Sequence, residues 1–112
     1  MARVAIPDPL KRRHLAEDEL PAQKALALAE AYLAEGRATE AIVFLEKAEA
    51  TDQLARLRDE AIEAGDLFLL RAASGALGEE IPAATWTRLA DVAEAAGKTL
   101  YAHEARRQAE RG

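Results

Sequence analysis

Residues 25–36 of the chain read ALALAEAYLAEG, and this stretch decides the fold. Its apolar side chains recur at spacings of three and four residues, with Leu28 and Tyr32 on one face, which is the pattern of an amphipathic helix. Gly36 stands where the pattern stops, and glycine is the usual residue in the left-handed turn that ends a helix. The stretch therefore predicts a helix over residues 22–35 that ends in a tight turn.

Similar patterns, each ended by a glycine or a proline, run along most of the chain. A short helix is predicted from Pro9 to about Glu17, with Asp8 as its cap and Pro21 as its stop. Beyond it we expect six longer helices paired as antiparallel hairpins. The predicted organisation is a leader over residues 1–20 and hairpins over about 22–50, 51–78 and 82–110.

The composition agrees with an all-helical protein and limits its chemistry. The 112 residues include 28 alanines and 15 leucines but few aromatic residues, a mixture rich in helix formers and poor in strand formers. The chain has no cysteine, which excludes disulfides and thiol nucleophiles and fits a reducing cytoplasm. Its N-terminal residues are too short in apolar length for a signal peptide, so none is expected, and no run approaches the roughly 18 apolar residues of a membrane span. We therefore expect one cytoplasmic helical domain over residues 1–112.

The helices are related by an internal repeat. Shifting the chain by 61 residues superposes Gly97 on Gly36 and Leu89 on Leu28, and a shift of 29 superposes Gly65 on Gly36. The first and third copies also share their small residues, whereas the middle copy has lost most of them. Repeats of this length, with small residues that let two helices approach, are typical of stacked helical hairpins.

The first copy resembles the tetratricopeptide repeat (TPR). The resemblance rests on Ala25, Leu28, Ala29, Tyr32, Gly36, Ala41, Leu45 and Ala48. The third copy adds the opening tryptophan of the family pattern as Trp86, but it has Ala93 at the usual aromatic position and Arg106 at a usual apolar position. The resemblance covers residues 22–110 and implies three hairpins stacked as a short right-handed solenoid behind the leader helix.

A TPR-like fold implies that the protein binds other proteins, because the first helices of such hairpins line a concave face that takes extended peptides or partner helices. The side chains expected on that face are acidic with apolar spots, and they include no lysine or arginine. A partner with a basic or amphipathic segment is therefore favoured. The predicted groove residues are Gln23, Leu26, Glu30, Leu33, Asp52, Asp59, Ile62, Glu63, Thr87, Asp91 and Glu94.

No catalytic, cofactor or metal site is expected. His14 has carboxylates at helical spacing, but these are too few ligands for a metal. Ser74 lacks the Gly-x-Ser-x-Gly context of a serine nucleophile, and Glu79 and Glu80 fit the solvated end of a helix. Trp86 stands on the inner face of its helix, where we expect it to pack in the core.

Two other functions stay open from the sequence. One is a nucleic-acid-associated regulator, which is favoured by the basic cluster KRRH at residues 11–14 and by the arginines near the C-terminus. The isoelectric point of about 5.1 and the few aromatic residues argue against nucleic acid as the partner. The chain also fits a non-catalytic subunit of an enzyme complex. Finally, Leu100 and Tyr101 on the flank of the last helix make self-association a candidate property.

Overall fold

The structure, a computed structural model, describes residues 6–17 and 20–111. Every regular element in these ranges is an α-helix, which confirms the all-helical prediction for the described residues. None of the helices described is both long and apolar enough to cross a membrane. The helices are α1 (Pro9–Glu17), α2 (Ala22–Ala34), α3 (Ala38–Lys47), α4 (Thr51–Ala64), α5 (Leu67–Leu77), α6 (Ala83–Ala95) and α7 (Thr99–Arg111).

The helix ends agree with the sequence patterns to within a few residues, and the largest difference is at α3. The predicted helix extends to Ala50, but α3 ends at Lys47 because Glu49 adopts a left-handed backbone with φ 54°. The amide of Ala50 then donates a hydrogen bond to the carbonyl of Leu45 at 3.0 Å, which closes the helix as glycine does elsewhere in the chain. Pro82 is the N-cap residue of α6 and makes no side-chain capping hydrogen bond.

One turn geometry recurs at four helix ends. Gly36, Gly65, Gly78 and Gly97 all have φ between 66° and 78°. In each case the amide of the next residue donates to the carbonyl five positions before it, at 2.8–3.0 Å. The glycine amide itself donates to the carbonyl three positions before it. This pattern is the Schellman motif, in which the left-handed residue lets the chain satisfy carbonyls at the helix end and reverse direction.

The chain divides into two compact units, the first ending at Leu54 and the second beginning at Ala55. In the first unit α2 packs against α3, and the ring of Tyr32 stacks on that of Phe44 with 5.6 Å between centroids. The guanidinium of Arg37 lies over the ring of Tyr32 at 4.9 Å from the centroid. Fully buried small and medium side chains fill the rest of this core, namely Ala25, Ala29, Ala41 and Leu45.

The hydroxyl of Tyr32 is buried in this core without a hydrogen-bond partner among the described residues. Burial raises the pKa of the phenol above its ordinary value, because the charged form loses its hydration. Outside this core Arg12 of α1 forms an ion pair with Glu40 of α3, which also binds Arg37. Hydrogen bonding to Arg37 is the main cause that holds the pKa of the Glu40 carboxyl below its usual range.

In the second unit α6 packs against α7, and the turn after α4 presses on α6. Gly65 approaches α6 so closely that an added Cβ would lie 2.9 Å from both the amide nitrogen and the Cα of Ala93. Trp86 is buried in the same unit, as the sequence predicts, and the guanidinium of Arg71 lies 5.6 Å from its ring centroid. The rest of this core is made of leucines and alanines, among them Leu57, Ala61, Leu70, Ala73, Leu89, Ala90, Ala102 and Ala105.

Candidate functional site

The predicted groove residues are divided between the two units. Leu26 and Leu33 on α2 are half-buried, whereas Gln23, Glu30 and Asp52 are exposed. The other six residues lie in the second unit, on α4 and α6. Those on α4 are Asp59, Ile62 and Glu63, and those on α6 are Thr87, Asp91 and Glu94.

The second unit has a cleft between α4 and α6 that contains three of the predicted residues. Its volume is about 430 Å³, and α4 contributes Asp59, Ile62 and Glu63 to its lining. A second cleft of about 290 Å³ adjoins it and shares Asp59, Ile62 and Thr85 with it. We call the two together the α4–α6 cleft. The spacing of the α4 residues places them on one side of that helix, which is why the sequence pattern put these three together.

The α6 side of this cleft is made of residues that the sequence analysis did not select. These residues are Ala84, Thr85 and Arg88 in the first cleft, and the loop before α6 adds Glu79, Glu80, Ile81 and Pro82 to the second. Arg88 matters most, because the predicted groove had no cation. The sequence signal for this face is the spacing of Arg88 four residues after Ala84, which puts both on one side of α6. The same spacing occurs on many exposed helix faces, so it does not single out a binding site.

The charges of the α4–α6 cleft fall into a paired and an unpaired group. The guanidinium of Arg58 contacts Asp59 at 3.1 Å and both carboxylate oxygens of Glu79 at 2.8 Å. The hydrogen bond to Asp59 is the main cause that raises the pKa of Arg58 above its ordinary value. Among the described residues, Glu63 and Arg88 have no ion-pair partner.

Unpaired groups of this kind are the ones that an incoming partner can bind without first breaking an ion pair. The carboxylate of Glu80 is also without a partner in the part of the chain that the structure describes. Beside these charges lie two half-buried apolar side chains, Ile62 and Ile81. The α4–α6 cleft therefore combines an apolar floor, two free carboxylates and one free guanidinium.

Two predicted groove residues contact the following helix, although they were expected to face away from it. Arg106 of α7 reaches the carboxylate of Glu94 at 2.8 Å and that of Asp91 at 3.5 Å. The hydrogen bond to Glu94 is the main cause that raises the pKa of Arg106. Asp91 and Glu94 therefore help to fasten α7 to α6, and Thr87, which donates its hydroxyl to the carbonyl of Ala83, is exposed on the same helix.

The basic residues that favour a nucleic-acid partner are largely engaged within the protein. Arg12 pairs with Glu40, and Arg107 pairs with Glu104 at 3.4 Å. Arg12 and Arg13 also line a cavity of about 390 Å³ whose other walls include Val43. The side chain of the remaining lysine of the cluster, at residue 11, lies outside the described part of the structure.

The structure adds no metal site to this picture. His14 is exposed, and within residues 6–17 and 20–111 no group of three or more metal-binding side chains comes together. Ser74 is buried in α5.

Comparison of the chain with protein-family models, with curated proteins and with solved structures gives no match.

Proposed function

We propose that the protein is a non-catalytic, TPR-like interaction module that binds a basic or amphipathic segment of a partner protein. In this proposal the helices form TPR-like hairpins of a short right-handed solenoid, and the α4–α6 cleft is the part of the groove that holds the partner. The observation that carries the proposal is the open cleft in which the unpaired Glu63 stands beside the apolar Ile62.

The recurring Schellman turn supports the repeat. Turns at Gly36, Gly65 and Gly97 lie at the registers that the sequence repeat superposes, and each has the same pair of hydrogen bonds. Equivalent turns at equivalent registers are expected when one helical hairpin has been duplicated. The geometry of these three turns therefore agrees with the repeat on which the resemblance to TPR proteins rests.

The chemistry of the α4–α6 cleft supports a basic partner with some selectivity. A lysine or arginine of the partner can pair with Glu63 or Glu80, and an apolar neighbour can contact Ile62. The free guanidinium of Arg88 adds a requirement that the sequence did not predict, because it favours one acidic or carbonyl group on the partner. We therefore expect amphipathic basic segments to bind better than uniformly basic ones.

The proposal is tested by selecting peptides on the immobilised protein from a random display library of about helix-length peptides. We expect the selected peptides to contain lysine or arginine together with apolar residues. Their affinities are then measured by fluorescence anisotropy for the wild type and for the Asp59→Lys/Glu63→Lys variant. Because each substitution changes the charge by two, the variant should bind at least about tenfold more weakly, and the loss should shrink at high salt.

A matched control separates the cleft from the general acidity of the protein. The Glu46→Lys/Glu49→Lys variant makes the same change of charge on exposed residues of the first unit. It should bind the selected peptides nearly as well as the wild type. Selection of acidic peptides, or equal losses in the two variants, would refute the assignment of the α4–α6 cleft.

A further inference from the structure

The second unit has an exposed apolar patch at the turn ends of α5 and α7. The side chains of Phe68 and Leu100 are 56% and 83% exposed, although both are large and apolar. Tyr101 joins them, since its ring meets that of Phe68 edge to face with 5.5 Å between centroids. We call Phe68, Leu100 and Tyr101 the turn-edge patch. Neighbouring exposed apolar side chains of this size mark an interaction surface more often than isolated ones do.

The patch follows from the repeat. Phe68 stands three residues after Gly65, and Leu100 stands three residues after Gly97, so both occupy the same position of consecutive hairpins. The residues directly after the two glycines are Asp66 and Lys98. Equivalent positions therefore flank the patch with a carboxylate on the α5 side and an ammonium group on the α7 side.

Contacts between α5 and α7 show that the two helices lie side by side and run in the same direction. Phe68 of α5 contacts Tyr101 of α7, and three residues further along each helix Arg71 forms an ion pair with Glu104 at 3.4 Å. Because both partners advance by three residues, the helices keep the same register along this face. A surface made of two parallel helices can be placed against a copy of itself by a two-fold rotation.

We propose that the turn-edge patch is a self-association surface whose occupant is the same patch of a second copy of this chain. A two-fold axis that runs along and between α5 and α7 places α5 of each copy opposite α7 of the other. Phe68 of one copy then meets Leu100 of the other, and Asp66 meets Lys98, twice in the dimer. The patch is thus complementary to itself in both apolar surface and charge.

Both charged groups have the capacity to make the new contact. The Asp66 side chain accepts the amide of Leu69 with Oδ1 at 3.1 Å, which leaves its second oxygen for a partner. The Lys98 ammonium donates to the carbonyl of Ala64 at 2.8 Å and keeps two further hydrogens. Pairing α5 with α5 of the second copy would instead bring Asp66 against Asp66, so the charges select the pairing of α5 with α7.

The size of the patch predicts a weak dimer. Stable interfaces bury about 800 Å² on each partner, which is far more than three side chains offer. We therefore expect association with a dissociation constant on the order of 100 µM, visible as a rise in mass with concentration. The association uses a surface separate from the α4–α6 cleft, so its failure leaves the proposed partner binding untouched.

Sedimentation equilibrium from about 10 µM to about 1 mM tests the proposal. The wild-type mass should rise above the 12.1 kDa of one chain. The Phe68→Ser/Leu100→Ser variant should associate at least about tenfold more weakly, because it removes both central apolar contacts. A matched Val43→Ser variant, whose exposed valine lies in the first unit, should behave as the wild type does.

Charge variants test the pairing itself. Lys98→Glu gives each copy two acidic flanks, and Asp66→Lys gives each copy two basic flanks, so neither variant should associate alone. An equimolar mixture of the two should associate again. Far-UV circular dichroism establishes that each variant is folded, and Lys24→Glu controls for the change in net charge made by Lys98→Glu. A wild type that stays at 12.1 kDa, a patch variant that associates as the wild type does, or a mixture that stays monomeric would overturn the proposal.

Discussion

Substituting Gly65 by alanine should destabilise the second unit much more than substituting Gly97. Both glycines have a left-handed backbone, with φ 66° and 78°, and an L-residue in that conformation costs about 1–2 kcal/mol. Around Gly97 an added Cβ meets nothing within 4 Å, so the cost of the left-handed backbone is the whole expected loss of stability. At Gly65 the same atom lies 2.9 Å from the backbone of Ala93, and overpacking of this kind adds about 1–3 kcal/mol.

The expected losses in the free energy of unfolding are therefore about 2–5 kcal/mol for Gly65→Ala and about 1–2 kcal/mol for Gly97→Ala. Urea unfolding followed by Trp86 fluorescence measures both, because this tryptophan is buried in the same unit as the two glycines. The two nearest atoms, at 2.9 Å, are the main-chain nitrogen and Cα of Ala93, and the third, at 3.1 Å, is its Cβ, so Ala93→Gly should recover only part of the loss in the Gly65 variant. Equal losses at the two glycines, or a complete rescue by Ala93→Gly, would refute the close approach of the α4 turn to the main chain of α6.

Four further substitutions test other parts of the structure by urea unfolding. Trp86→Ala, followed by circular dichroism, should cost about 3–5 kcal/mol because it empties a buried aromatic site, and an unchanged stability would contradict its burial. Tyr32→Phe should be neutral or stabilising by up to about 1 kcal/mol because it removes a buried hydroxyl without a partner, and a clear loss would reveal a hydrogen bond there. Glu49→Gly should stabilise by up to about 1 kcal/mol by relieving a left-handed glutamate, whereas destabilisation would show that its side chain contributes more. The pKa of the Glu40 carboxyl is lower in the folded state than in the unfolded chain. Its stabilising effect should therefore be present above about pH 4.5 and be lost as the pH falls through the pKa of the folded state. A Glu40→Gln variant should lack this part of the loss of stability in acid.

The helices and their turns are predictable from the sequence because the information for them is local. Apolar spacing sets each helix, and a glycine at the end of the pattern sets each left-handed turn, as at Gly36 and Gly97. The exception is the turn after α3, where Glu49 takes the left-handed position that glycine takes elsewhere. Nothing in the residue type signals this, because hydrogen bonds of the neighbouring backbone impose the conformation.

The α4–α6 cleft was predictable only in part, because a helical pattern gives the angle of a residue around its own helix and not the neighbour that it meets. Asp59, Ile62 and Glu63 line the same cleft from one side of α4, and the helical pattern had placed these three together. On α6 the pattern selected Asp91 and Glu94, which contact α7. It did not select Arg88, which lies on the side of α6 that faces the cleft with α4. Choosing between the two exposed sides of an amphipathic helix requires the packing of at least three helices.

The two departures of the third copy from the TPR pattern both lie in the α6–α7 pair. Ala93, at the usual aromatic position of that pattern, is fully buried where the turn at Gly65 approaches α6. The buried side chains of α7 are the small residues Ala102 and Ala105, while Tyr101 contacts Phe68 of α5. Much of the apolar contact of the last helix is therefore made by small side chains.

Arg106, at a position that is apolar in the TPR pattern, attaches α7 to α6 by ion pairs. Its side chain reaches α6 and forms ion pairs with Glu94 and Asp91. These contacts lie at the partly exposed edge of the helix pair and not in its core. Ion pairs at such an edge contribute less than buried apolar surface does, and salt screens them. Raising the ionic strength should therefore loosen α7 before it affects α6. Asp91 and Glu94 of α6 are then engaged with α7, and in the proposed function partner recognition falls to the carboxylates of the α4–α6 cleft.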